Sequence, residues 1–274
     1  MKVAIIGYGK MGREHHEAWC EAGVNVVAVA DKNDDYLDAI DKADIVSIAS
    51  PDGCHYEQLK QAVVRSKHVF CEKPLCLLEN ELDNIEELLA YNPSAKMACH
   101  LPLRHHPPFL EFKNKIPKLG RLYDISATYL WGRLWKMRGW RGSDKNYSAV
   151  LGGGIHVVDA VQDIIGRPLK IIAAHGNNIM LPEFKNHLFI NALCRDGVTN
   201  VDICINFQFN GGHAHHLIFS GEYGSEELIN RESPNKRLAI LDFHKQICGN
   251  ENTNILSAIS SHRTCFAIER ASHA

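Results

Sequence analysis

The sequence predicts an α/β first domain built on a parallel sheet, followed by an α+β domain built on a large, mostly antiparallel sheet. Two observations carry the first half of that expectation. Through residues 1–105, short β-branched apolar runs alternate with amphipathic helical stretches, the pattern of strands joined by crossover helices. The first of these units also places Gly7-Tyr8-Gly9-Lys10-Met11-Gly12 between its strand and its helix. A third observation carries the second half. Beyond Leu169 the chain reads mostly as strands, and Val201, Ile203, Ile205, Phe207 and Phe209 alternate with polar residues, as in a sheet with one covered face.

The opening unit justifies itself residue by residue. Residues 3–6 suit a strand buried on both faces. Residues 13–21 read as a helix stopped by Gly23, and residues 24–30 form a second strand ending on Asp31. That order is a Rossmann-type dinucleotide-binding unit. Gly7 permits the tight turn, Gly9 lets a pyrophosphate approach the backbone, and Gly12 lets the helix pack close to the strand. Tyr8, Lys10 and Met11 complete the turn, where the unpaired N–H groups of the helix start face the phosphates. Asp31 is placed to accept hydrogen bonds from the adenosine ribose. It argues for NAD, since a 2′-phosphate would meet its charge; Lys32 beside it leaves NADP open.

Composition bounds the remainder. A chain of 274 residues with 45% apolar and 23% charged residues suits two ordinary globular domains. A net charge of -2 gives no electrostatic case for nucleic acid. No apolar run reaches membrane-spanning length and no signal peptide is apparent, so no membrane partner and a cytoplasmic location are expected. Nine cysteines without a CxxC pair read as reduced thiols. The sixteen histidines include His15-His16, His105-His106 and His213-x-His215-His216. None has HExxH or Cys/His finger spacing, so no required metal is expected.

Only residues 32–43 separate Asp31 from the next strand, 44–49. A crossover between parallel strands alone takes about a dozen residues, so the third strand of the dinucleotide half is missing or vestigial. A helix at 54–65, a strand at 67–71, a helix at 79–89 and a strand at 95–99 complete the first domain, 1–105. Residues 106–274 make the second. It opens with a helix at 107–116 and a half-buried strand at 121–131. Trp131, Arg133, Trp135, Lys136, Arg138, Trp140 and Arg141 follow closely. Rings that stack and cations that grip phosphate suit a sugar or a sugar nucleotide, and they suit a subunit interface equally well. His156 begins a helix after three glycines, with Asp159 three residues on. Further strands are expected at 170–180, 187–194, 199–209 and 216–220, with a hairpin turn at Asp196-Gly197, and a last helix at 255–271.

Four pieces in order carry a family resemblance: the GYGKMG turn; Ser50-Pro51 with His55 following; His68-Val69-Phe70-Cys71-Glu72-Lys73-Pro74; and Gly152-Gly153-Gly154-Ile155-His156-Val157-Val158-Asp159. With them the chain resembles the Gfo/Idh/MocA family, the glucose–fructose oxidoreductase and inositol dehydrogenase group. The resemblance implies an NAD site (NADP possible) at Gly7, Tyr8, Gly9, Lys10, Met11, Gly12, Asp31, Ser50, Pro51, His55, Glu72, Lys73 and Pro74. It implies Lys73 as the proton carrier and His156 as the contact to the substrate hydroxyl. Many sugar and inositol dehydrogenases of the family carry an aspartate four residues before that histidine; here the position is Gly152, so Lys73 and His156 are the catalytic pair that remains. Arg104, Trp131, Arg133, Trp140, His156 and Asp159 are the candidate substrate contacts. The expected function is hydride transfer between nicotinamide and a secondary hydroxyl or ketone of a sugar, nucleotide sugar or cyclitol, in a dimer or tetramer. The alternatives are an enzyme that uses NAD transiently, such as an epimerase or glycoside-cleaving enzyme, and a non-catalytic cofactor-binding regulator or assembly partner.

Overall fold

The computed structural model describes residues 1–208 and 211–274, with the Trp140 side chain outside the described set. Phe209, expected at the end of a strand, also lies outside the described residues. The chain forms two compact units, one of Met1–Pro102 with Asn235–Ile259, the other of Leu103–Pro234 with Ser260–Ala274.

The first unit holds a parallel sheet of β1 (Lys2–Ile6), β2 (Asn25–Ala30), β3 (Ile45–Ile48), β4 (His68–Glu72) and β5 (Met97–His100), in the order β2-β1-β3-β4-β5. Val3, Ala4, Ile5, Ile45, Val46, Ile48 and Val69 are fully buried, which is why these short strands read as continuous apolar runs. α1 (Lys10–Glu21), α3 (His55–Val64) and α4 (Glu79–Tyr91) connect them. Between β2 and β3 stands only the six-residue α2 (Tyr36–Asp41), capped by the Asp35 carboxylate on the Leu37 and Asp38 N–H groups. The third strand is therefore absent, as the chain length demands, and β2 is the sheet edge.

The second unit holds α5 (Pro107–Lys115), β6 (Leu122–Leu130), the short α6 (Trp140–Ser143) and α7 (Ile155–Ile165). β7 (Lys170–Asn177), β8 (Phe189–Arg195), β9 (Asn200–Asn206), β10 (Ala214–Gly221) and β11 (Gly224–Asn230) follow. The six strands pair in the order β11-β10-β6-β9-β8-β7. Only β6 and β9 run parallel; the other pairs are antiparallel. Inward residues Ile125, Ala127, Val201, Ile203, Ile205, Leu217 and Phe219 are buried. A π-helical turn, Val150–Gly154, leads into α7. A Cβ on Gly153 would stand 2.5 Å from the Tyr129 ring, and one on Gly154 would stand 2.3 Å from Ile205. The absence of side chains there lets the helix start rest on the sheet.

The expected boundary at residue 105 assigns all of 106–274 to the second domain. The structure divides at Pro102 and returns Asn235–Ile259 to the first unit. The cause is α8 (Arg237–Gly249), whose Ala239, Ile240 and Phe243 share one apolar cluster with Trp19 and Phe70. Ion pairs of Arg237 with Glu17 and of Lys236 with Glu14 reinforce that packing. α9 (Ile255–Ser272) closes the chain. All nine cysteines are free, and among the described residues no helix is long and apolar enough to cross a membrane.

Candidate functional site

The glycine turn has the geometry its spacing implies. Gly7 has φ +86°, and a Cβ there would lie 2.5 Å from the Ser50 backbone nitrogen. A Cβ on Gly12 would lie 1.9 Å from the Gly7 carbonyl oxygen. Both glycines are thus required by packing. Gly9 is different. It caps α1 with an extended backbone and no side-chain cap, and a Cβ there would meet no atom within 4 Å. The protein's own packing does not demand a glycine at 9; an open approach to the unpaired helix N–H groups does. These residues fit the diphosphate of NAD.

Around that turn, the Tyr8 hydroxyl pairs with His16 Nδ1 at 2.9 Å, and the Arg13 guanidinium lies 5.3 Å from the Tyr8 ring centre. Lys10 is exposed, and Met11 Sδ is 3.1 Å from Lys236 Nζ. Asp31 is exposed just past β2, where its N–H donates to the Asp34 carboxylate. The Gly7 N–H donates to the neighbouring Ala30 carbonyl at 2.8 Å, so the end of β2 is fixed beside the turn.

Lys73 is half-buried and follows directly on β4, with a cis bond to Pro74. Both of its neighbours are braced. His55 Nδ1 lies 2.6 Å from the Pro74 carbonyl oxygen and its Nε2 lies 2.9 Å from that of Ser50, while the Ser50 hydroxyl donates to Gln58. His55 is fully buried with both ring nitrogens committed. It therefore positions Ser50 and Pro74.

On the other side of Lys73, Glu72 Oε1 is 2.6 Å from His100 Nδ1 and 3.3 Å from His15 Nε2. His100 Nε2 donates to the Lys236 carbonyl at 3.0 Å. His15 Nδ1 pairs with the Ser47 hydroxyl, which also accepts from the Trp19 indole. Burial pushes the Glu72 carboxyl up, but the charge and hydrogen bond of His100, then those of His15, outweigh it and hold the group well below the usual carboxylate range. Burial lowers His15. Among the described residues this is also the one group that brings three metal-type ligand atoms within 4.8 Å of one another; the hydrogen bonds already engage all four ring nitrogens of the two histidines. Sequence reasoning did not single out His100 and noted His15 only in the His15-His16 pair, because only the fold brings a helical histidine and a strand-end histidine to one carboxylate.

In the second unit, the first turn of α7 carries a half-buried His156. Its ring centre is 6.0 Å from that of Tyr129 and 5.8 Å from that of His215. Asp159, one turn on, is 2% exposed. It accepts from Arg104 Nε at 2.8 Å and Nη2 at 2.6 Å, and from the Ser261 hydroxyl at 2.8 Å. Asp159 and Arg104 thus anchor each other. The Trp131 indole stacks on Phe207 at 4.5 Å and is 7% exposed. Arg133 is half-buried, Trp135 is 66% exposed, and the Trp140 side chain lies outside the described residues.

Gly152 stands where the family often has aspartate. A Cβ there would lie 2.7 Å from the hydroxyl of Tyr147, which is 1% exposed. Gly152→Asp is therefore expected to cost about 1–3 kcal/mol of stability through overpacking and to add no activity. Thermal unfolding and turnover of the variant, measured side by side, check both halves.

Burial also lowers two histidines near His156, His213 to about 4 and His215 to about 3. An unfolded chain protonates these groups below about pH 6.5; the folded chain resists until those lower values. Stability therefore falls as pH drops from about 6.5 toward 4. Unfolding midpoints across that window should decline, and His215→Phe should shallow the decline.

A five-stranded parallel sheet with this glycine turn, an acid at the end of β2 and a braced lysine at the end of β4 defines a dinucleotide-binding Rossmann unit, here joined to an α+β unit. Comparison with known proteins agrees. The Gfo/Idh/MocA model, described as oxidoreductase family, NAD-binding Rossmann fold, matches residues 26–101. D-glucoside 3-dehydrogenase of Escherichia coli K12 is 26% identical over 208 residues, 64% of this chain and 57% of that protein. The myo-inositol 2-dehydrogenase structure from Lactobacillus plantarum superposes with TM-score 0.88 at 17% identity, covering 100% of this chain and 97% of that one. The Lactobacillus casei scyllo-inositol dehydrogenase structure, with bound NAD(H) and scyllo-inositol, gives 0.84 at 18% identity, covering 100% and 97%. The first curated relatives align over only 36% to 57% of their own lengths. Residues 26–101 thus match the Gfo/Idh/MocA oxidoreductase model, and the whole chain has the fold of the inositol dehydrogenase structures.

Proposed function

We propose that the protein is an NAD-dependent oxidoreductase, with NADP as the second option, acting on a secondary hydroxyl or the corresponding ketone of a sugar, nucleotide sugar or cyclitol. The observation that carries this reading is the bracing of Lys73. The lysine follows the C-terminal end of a parallel strand, where open α/β sheets bind ligands, and both of its chain neighbours are held by buried histidines. Nothing about a surface turn needs that support.

NAD, when bound, supplies the hydride acceptor or donor. Gly7, Gly9 and Gly12 shape the diphosphate cradle, and Asp31 accepts from the adenosine ribose. Lys73 takes the substrate hydroxyl proton in the oxidising direction and returns it in the reducing direction. His156, at the start of α7, offers a half-buried imidazole that hydrogen-bonds a substrate hydroxyl. The names of the relatives, a glucoside dehydrogenase and inositol dehydrogenases, support a polyhydroxylated substrate.

The test is turnover with NAD and with NADP over neutral sugars, cyclitols and nucleotide sugars, following net formation of reduced cofactor together with product. Net reduced cofactor supports the proposal. Product without it identifies the transient-cofactor chemistry instead. Tight cofactor binding with no turnover on any substrate would leave the non-catalytic reading in its place.

A further inference from the structure

We propose that Lys236, brought to the first unit by the returning segment Asn235–Ile259, is a cofactor-binding residue whose ammonium pairs with the diphosphate of the dinucleotide. This rests on the dinucleotide-site reading above. Lys236 stands immediately before α8, 225 positions along the chain from Met11 of the glycine turn. Its Nζ nevertheless lies 3.1 Å from Met11 Sδ, in the first turn of α1, and 3.4 Å from Glu14 Oε2. The side chain is 27% exposed, so a ligand reaches it from solvent.

Charge makes this placement informative. A helix start carries partial positive charge and favours anions. Lys236 stands at two such starts. It is the N-cap residue of α8, without a side-chain capping bond, and its ammonium meets the first turn of α1. Neither first turn contains an acid, and Lys10 and Arg13 add two more cations to the start of α1. The neighbouring Arg237 shows how a structural cation is served in the same place: it pairs with Glu17 and lies 3.7 Å from Glu21. Lys236 instead has one carboxylate at 3.4 Å, longer than a charged hydrogen bond, and a thioether, which accepts only weakly.

A diphosphate resolves this. It supplies the negative charge that both first turns lack, and lysine binds phosphate as a point charge. The main chain of Lys236 is fixed independently of its ammonium. Its carbonyl accepts from His100 Nε2 at 3.0 Å, and His100 in turn holds Glu72, the residue before Lys73. A substitution of the side chain leaves that link in place.

The experiment titrates NADH, NADPH, ADP-ribose and adenosine into the full chain, as wild type, Lys236→Met, Lys236→Arg and Arg237→Met. ADP-ribose keeps the diphosphate without nicotinamide; adenosine has neither. The proposal expects Lys236→Met to weaken NADH, NADPH and ADP-ribose by one common factor of about 10–100, the worth of a hydrogen bond to a charged group, and to leave adenosine unchanged. Lys236→Arg keeps most of the affinity, and Arg237→Met keeps all of it. Added salt weakens ADP-ribose binding more in wild type than in Lys236→Met. The ligand-free unfolding midpoint of Lys236→Met stays close to that of wild type. Unchanged ADP-ribose affinity in Lys236→Met, or an equal loss for adenosine together with a lowered midpoint, overturns the proposal. A wild type that binds ADP-ribose through Lys236 yet turns over no substrate defeats the oxidoreductase reading and leaves this one standing. A wild type that binds no dinucleotide and no ADP-ribose overturns both.

Discussion

Replacing Lys73 by methionine should lower kcat by a factor of about 10²–10⁴, the usual contribution of a positioned acid–base group. NADH affinity and the unfolding midpoint should stay close to wild type. The reason lies in how the lysine is held. Glu72 is fixed by His100 and His15, and the Pro74 carbonyl is fixed by His55. None of those contacts uses the lysine ammonium, so removing it leaves the braces intact. Lys73→Arg separates two roles. A guanidinium keeps the positive charge but cannot give up its proton in a protein, so this variant should be as inactive as the methionine one. Single-turnover rates with prebound cofactor check the prediction. Substantial activity in Lys73→Arg would show that charge, not proton transfer, is what the position supplies.

The second large effect is on stability. Asp159→Ala should cost about 3–5 kcal/mol, because it leaves the Arg104 guanidinium in a largely buried setting without its main partner. The side chains of Arg104 and Asp159 are 12% and 2% exposed, and two N–H···O bonds join them. Asp163 stands 3.6 Å from Arg104 but is already paired with Lys113 at 2.6 Å, so it compensates little. Changing both partners to leucine should be much less damaging than either single loss, since no charge is then left stranded. Denaturant unfolding of the three variants measures this. If Asp159→Ala raised KM for a substrate and left stability untouched, the buried-anchor account would be wrong.

These two residues illustrate what was legible in the amino-acid sequence. Lys73 could be placed at a strand end because the apolar run before it and the proline after it are local signals. The missing third strand was legible from residue count alone, and Gly7 and Gly12 from spacing. The pairing of Asp159 with Arg104 was not legible, because nothing local shows that a residue distant in sequence would occupy its carboxylate. The stacking of Trp131 on Phe207 was not legible for the same reason, since it is a matter of pairing between β6 and β9. α8 returns to the first unit through Phe243 and Ile240 meeting Trp19, a contact with no signature in either stretch. β11, an edge strand of mostly polar residues at Gly224–Asn230, lacks the apolar alternation that marks the other strands.

The central claim is that the first unit is a working NAD site read by Asp31. It is tested most directly by titrating NADH and NADPH against wild type and Asp31→Ala. The account predicts that wild type prefers NADH and that Asp31→Ala weakens NADH by about 10–100-fold, the worth of hydrogen bonds to a charged acceptor, while NADPH gains relative to NADH. Binding of neither nucleotide to wild type, or an NADH affinity untouched by the substitution, would contradict it.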